Sequence, residues 1–123
     1  MTCKISVIGL GYVGLPLAVA FSRIYDVTGY DVNTNRIKDL QKNIDRTNEI
    51  SRSELKEAKV SYTSSPSTLK NSDIFIVTVP TPVHANHNPD LRLLKKACKE
   101  VGKYINQGNI IVFRNKSIEG KYE

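Results

Sequence analysis

Three glycines at positions 9, 11 and 14 follow the spacing G-x-G-x-x-G, directly after the β-branched run Lys4 to Ile8. Each has a mechanical reading. The first glycine permits a sharp turn out of a strand. The second has no Cβ, so the backbone can approach a pyrophosphate. The third lets a helix pack closely on a sheet. That helix would offer its unpaired N–H groups and partial positive charge to the phosphates. The spacing alone is a weak signal, and its context strengthens it. Asp31 lies 17 residues beyond Gly14, at the end of the next β-branched stretch. A carboxylate there can accept hydrogen bonds from both ribose hydroxyls of an adenosine and would repel a 2′-phosphate. The combination points to a dinucleotide cofactor, with NAD favoured over NADP.

Other residues are open to more than one reading. Arg36, early in the following helix, can cover the adenine, reach the pyrophosphate or remain a solvated arginine. Val79, Pro80 and Thr81 close the apolar run Asp73 to Val79. Ligands of open α/β sheets bind at the carboxyl ends of strands, so this segment is either a cofactor wall or simply a rigid loop. His84 and His87 lie three apart in a polar stretch without a third ligand nearby, and a metal site is not expected. Cys3 and Cys98 form no C-x-x-C pattern and read as reduced thiols of a cytoplasmic protein.

These residues need elements to position them. Strands are expected at 4–8, 26–32, 60–63, 73–79 and 109–113. The spacing of Val13, Leu17, Ala20, Phe21 and Ile24 predicts a helix over 12–24. Further helices are expected over 35–44, capped by Asn33 or Thr34, over 53–57 with a capping serine, and over 91–105 behind Asp90. The segment 65–71 reads as a turn with one helical turn. Strands alternating with helices predict a Rossmann-like parallel sheet, order 3-2-1-4-5, with helices on both faces.

With 123 residues the chain suits one small domain. No apolar run reaches the roughly 20 residues of a membrane span, and the opening run lacks the flanks of a cleaved leader. Lysine and arginine total 18 against 12 acidic residues, a net charge of +6. The basic residues alternate with acids over 36–59, and Lys95, Lys96, Lys99 and Lys103 fall on one expected helix. Solvated helix faces are therefore expected rather than a nucleic-acid surface.

Beyond the generic fingerprint, VIGLGYVGLPLA at 7–18, GYDVNTNRI at 29–37, SDIFIVTVPTPV at 72–83 and NPDLRLL at 88–94 resemble the UDP-glucose/GDP-mannose dehydrogenase family. The nearest likeness is to the UDP-N-acetylhexosamine 6-dehydrogenases of bacterial capsule, O-antigen and Vi-type polysaccharide synthesis. The resemblance implies NAD-dependent oxidation of a sugar C6 hydroxyl to a carboxylate, through a cysteine nucleophile with a lysine nearby. It implies a UDP-sugar substrate and a homo-oligomer when full length. Carried over by position, Tyr12, Val13, Asp31, Arg36 and Thr81 are NAD contacts. After Phe113 the likeness breaks. Where the family continues with Ser-Thr-Val and Pro-Gly, this chain reads Arg-Asn-Lys-Ser-Ile-Glu-Gly, with Lys116 at the cofactor-binding threonine. The expectation is a partial cofactor domain over 1–113 and a divergent, non-native tail over 114–123. Neither Cys3 nor Cys98 matches the catalytic cysteine, so this chain alone is expected to be inactive. A non-catalytic nucleotide-binding module is the alternative.

Overall fold

A computed structural model describes residues 3–82 and 86–114. Five strands form one parallel sheet in the order β3-β2-β1-β4-β5. They are β1 (Lys4–Ile8), β2 (Asp26–Tyr30), β3 (Val60–Thr63), β4 (Ile74–Val77) and β5 (Ile110–Phe113). The expected order and architecture hold. Val83 and His84 and the expected tail beyond Arg114 lie outside the described residues.

Strands buried on both faces read as continuous apolar runs, which explains IFIV in β4; in β1, KISVI, the buried polar residue Ser6 is paired with the Ser72 hydroxyl. Alternating side chains divide the core. On one face Ile5, Val7, Leu15, Ala18 and Val27 pack with Ile37, Leu40 and Leu55. These come from α1 (Gly14–Phe21), α2 (Thr34–Gln41) and α3 (Arg52–Glu57). On the other face Ile8, Tyr30, Phe75 and Val77 pack against Leu69 of a 3₁₀ turn (Pro66–Leu69) and Ala97 and Val101 of α4 (Arg92–Tyr104).

Several boundaries differ from the sequence pattern. The first helix ends at Phe21, where the Ser22 hydroxyl donates to the carbonyl of Val19 at 2.7 Å. Ile24, expected on the buried face, is 75% exposed. Ser51, not a serine inside the expected 53–57 segment, caps α3. Its hydroxyl accepts from the Glu54 N–H at 3.2 Å and donates to the Glu54 carboxylate at 3.0 Å, half of a capping box, with the carboxylate on the serine hydroxyl in place of the Ser51 N–H. The spacing S-x-x-E at 51–54 is its signature. Asn33 caps α2, accepting from the Arg36 N–H. Asp90 accepts from the Arg92 N–H, one residue into the expected helix.

Register sets the level of the site. Ile8 pairs with Tyr30 on one side and Val77 on the other, and Val77 pairs with Phe113. The carboxyl ends of the strands therefore finish together, with Gly9, Asp31 and Thr78 next in chain. The sheet order reverses between β1 and β4, where an open α/β sheet forms its ligand crevice.

Candidate cofactor site

Gly9 leaves β1 with φ +97°, a conformation that suits glycine. Its N–H donates to the Tyr30 carbonyl at 2.8 Å, so the turn begins as an extension of the sheet ladder. Leu10 is fully buried in the α1 face of the core and anchors the turn. A full leucine burial of this kind contributes about 1.5–3 kcal/mol. Gly14, first residue of α1, sits so close to the turn that a Cβ there would overlap the Gly9 carbonyl and the Thr78 hydroxyl. Gly11 is the opposite case, since a Cβ there would meet nothing within 4 Å. The space above it is open to a ligand.

α1 presents its amino end to that space. No side chain caps it at Val13, and its first turn holds no acidic residue. The Leu15 N–H is taken by the Gly11 carbonyl at 3.2 Å and Pro16 has no N–H, so what this end offers an external anion is the positive end of the helix dipole. Tyr12, at the crest of the turn, is 65% exposed.

Asp31 follows the last residue of β2. Its Oδ2 accepts from the Leu10 N–H and its Oδ1 from the Asn33 N–H, both at 2.9 Å. Two backbone donors thus fix the plane of the carboxylate, and each oxygen retains a lone pair for a further donor. Two adjacent hydroxyls of a ribose are donors of the right kind. The open face of Gly11 and the suspended carboxylate are the chemistry a dinucleotide's pyrophosphate and ribose require.

A cleft of about 330 Å³ connects them. Of the residues expected at the cofactor, Gly9, Gly11, Asp31, Arg36, Val79 and Pro80 line it. Tyr12, Val13, Gly14 and Thr81 do not line it. Gly14 acts through close packing, while Tyr12 and Val13 belong to the turn and the amino end of α1.

Arg36 is neither a simple ligand arm nor a solvated side chain. Its Nε donates to the Leu10 carbonyl at 2.9 Å and its Nη1 to Asp45 Oδ1 at 2.8 Å. Its side chain is only 11% exposed, and Nη2 is buried without a protein partner. The guanidinium pins the glycine turn through Leu10 and ties it to the Asp45 loop. Asp45 is the residue that sequence reasoning missed. It also accepts from the hydroxyl and N–H of Thr47 and the N–H groups of Glu49 and Ile50. Burial opposes its ionisation, but bonds from Thr47, Arg36 and the backbone outweigh this and hold its pKa at about 2.

Thr78 was missed as well. Its hydroxyl reaches the Ile8 carbonyl at 3.1 Å and the Gly9 carbonyl at 2.6 Å, tying β4 to the turn. Its signal was legible, as a buried polar residue in the apolar run 74–79. From α4, Leu93, Lys96, Ala97 and Glu100 complete the far wall of the cleft. Among the described residues no group of three His, Cys, Asp or Glu side chains converges as a metal site. Cys3 and Cys98 are free thiols, and neither lines the cleft.

Sheet order, glycine turn and carboxylate together define a dinucleotide-binding domain of the Rossmann class. Residues 3–120 match the model of the UDP-glucose/GDP-mannose dehydrogenase family, NAD binding domain, and the chain belongs to that family. It is 45% identical over 123 residues to Protein CapL of Staphylococcus aureus, covering all of this chain and 29% of that protein. It is 44% identical over 121 residues to the UDP-N-acetyl-D-glucosamine 6-dehydrogenase of Pseudomonas aeruginosa, covering 98% of this chain and 29% of that enzyme. Among solved structures, the UDP-D-ManNAc dehydrogenase of Pyrococcus horikoshii superposes with a TM-score of 0.85 at 35% identity, over 92% of this chain and 28% of that one. The chain thus spans less than a third of the length of these relatives. No helix among the described residues is long and apolar enough to cross a membrane.

Proposed function

We propose that this chain holds NAD for a dehydrogenase that oxidises the C6 hydroxyl of a UDP-N-acetylhexosamine to a carboxylate for polysaccharide synthesis. The observation that carries the reading is the Asp31 carboxylate, suspended by the Leu10 and Asn33 N–H groups beside the open face of Gly11. The 44% identity to a UDP-N-acetyl-D-glucosamine 6-dehydrogenase supports the substrate class.

NAD, when bound, supplies a hydride acceptor. The chain's own residues bind and orient it. Gly11 and the amino end of α1, with Tyr12 and Val13, take the pyrophosphate. Asp31 accepts from the adenosine ribose. Arg36 holds the turn through Leu10. Val79 and Pro80 form an apolar wall that excludes water from the cleft, and Thr81 borders it. We place the functional boundary at Phe113, where β5 ends, and read 114–123 as divergent, although the family match continues to residue 120. The coding sequence downstream of Phe113 tests that boundary. A cytoplasmic homo-oligomer is the proposed assembly. The two free thiols support the reducing compartment, and the exposed apolar β5 supports burial against further polypeptide.

Asp31→Ala tests the cofactor site. Loss of charge-assisted hydrogen bonds costs about 1.5–3 kcal/mol, roughly 10- to 150-fold in NAD affinity by calorimetry. Unchanged affinity would remove Asp31 from the site.

A further inference from the structure

Beyond Asp31 the cleft runs along α4, and one pair of side chains there serves neither phosphate nor ribose. Leu93 and Ala97 give that wall an apolar surface, while Lys96 and Glu100 stand one helical turn apart on the same stripe. Residues four apart on a helix are neighbours, with a rise of about 6 Å between them. Tyr30 and Val32 line the cleft as well. The result is a slot with apolar walls in which α4 sets one donor and one acceptor, with the Tyr30 hydroxyl within the field of Glu100.

Both groups have unused capacity. Glu100 is 21% exposed at its side chain, and only its Oε1 is engaged, by Lys103 Nζ at 3.3 Å. The Lys96 ammonium makes no hydrogen bond to another described residue. A flat ring between the apolar surfaces would meet a carboxylate and an ammonium side by side. Adenine offers the complementary edge, since its N6 amino group donates and the adjacent N1 accepts. A 6-oxopurine reverses both, with a carbonyl oxygen at C6 and a proton on N1.

We infer that Lys96 and Glu100 read the base of the dinucleotide, Glu100 accepting from N6 and Lys96 donating to N1, and so select adenine over 6-oxopurines. The inference rests on the cleft being the NAD site. It assigns specificity to α4, on the opposite side of the base from the glycine turn. A site built on hydrogen bonds rejects an analogue with mismatched groups far more strongly than an apolar pocket does, because its polar groups are then left unpaired.

Calorimetric titration of the chain with NAD and with nicotinamide hypoxanthine dinucleotide tests this. The two ligands differ only at the base. The wild-type chain should prefer NAD by about tenfold or more, the scale of one charge-assisted hydrogen bond. In Glu100→Gln, whose amide can donate to a carbonyl, the preference should fall to near unity. Lys96→Met should also lower it. Lys103→Met breaks the same ion pair without touching the slot and should keep the wild-type preference. Each preference is a ratio within one variant, so a general loss of folded protein does not imitate the effect. NAD binding with no preference in the wild type overturns the base assignment alone, as does an unchanged ratio in Glu100→Gln. An equal collapse in Lys103→Met also overturns it. Failure to bind either dinucleotide contradicts the NAD site itself.

Discussion

Gly11 and Gly14 belong to one motif but meet opposite physical demands. An added Cβ at Gly14 collides with the backbone of Gly9 and with Thr78, whereas at Gly11 it enters empty space. Gly14→Ala should therefore destabilise the fold by about 1–3 kcal/mol or more, as overpacking does. Gly11→Ala should leave the thermal midpoint nearly unchanged and still weaken NAD, because the methyl group occupies the cradle. Paired melting curves and NAD titrations check both, and a Gly11→Ala variant with unchanged NAD affinity would contradict the cradle. The spacing in the sequence exposed all three glycines and their separate tasks, but not the neighbours that enforce them, the Gly9 carbonyl and the Thr78 hydroxyl against Gly14. Arg36 shows a related limit. Its type and position marked it as important. Its actual partners, the Leu10 carbonyl and Asp45, come from two other segments and carry no local signal.

At the level of elements, strong periodicity and apolar runs were legible, and ends were less so. β4 announced itself as an unbroken apolar stretch, and β1 as a short β-branched run ending on glycine. The first helix kept an apolar pattern through Ile24, yet Ser22 bonds back to Val19 and the chain turns toward β2, so tertiary connection overrides the pattern. The segment after α2 looked merely polar. It is a loop gathered around one carboxylate, Asp45, which receives bonds from Arg36, Thr47, Glu49 and Ile50. Asp45→Ala leaves the Arg36 guanidinium buried without its counter-ion and should cost about 3–5 kcal/mol at neutral pH. The sign of the pH dependence follows from the depressed pKa. The contribution of Asp45 is complete above its unfolded pKa of about 4 and is lost as pH falls through its folded value of about 2. Denaturant titrations between those values should show a stability loss that Asp45→Ala removes, and an identical acid profile in the variant would contradict the clasp.

For the whole molecule, the described residues form an NAD-binding domain, and the chain spans less than a third of the length of its relatives. β5 is apolar at every position, yet Ile110, Ile111, Val112 and Phe113 are 37–55% exposed. Such a strand at the edge of a sheet is suited to burial against further polypeptide. The thiols are also misplaced for covalent catalysis. Cys3 precedes β1 at the amino end of the sheet, opposite the cleft, and Cys98 is exposed on α4 outside the cleft lining. The chain alone should therefore form no NADH from UDP-N-acetylglucosamine or UDP-N-acetylgalactosamine, measured by absorbance. Measurable turnover would show that the chemistry resides in these residues after all.

The central claim is that the glycine turn and Asp31 together hold NAD, and a direct titration of this chain with NAD and NADP tests it most simply. The geometry predicts saturable NAD binding with NADP weaker by about tenfold or more, because a 2′-phosphate would be forced against a carboxylate already fixed by two N–H groups. Equal affinity for the two, or no binding of either, would contradict the account.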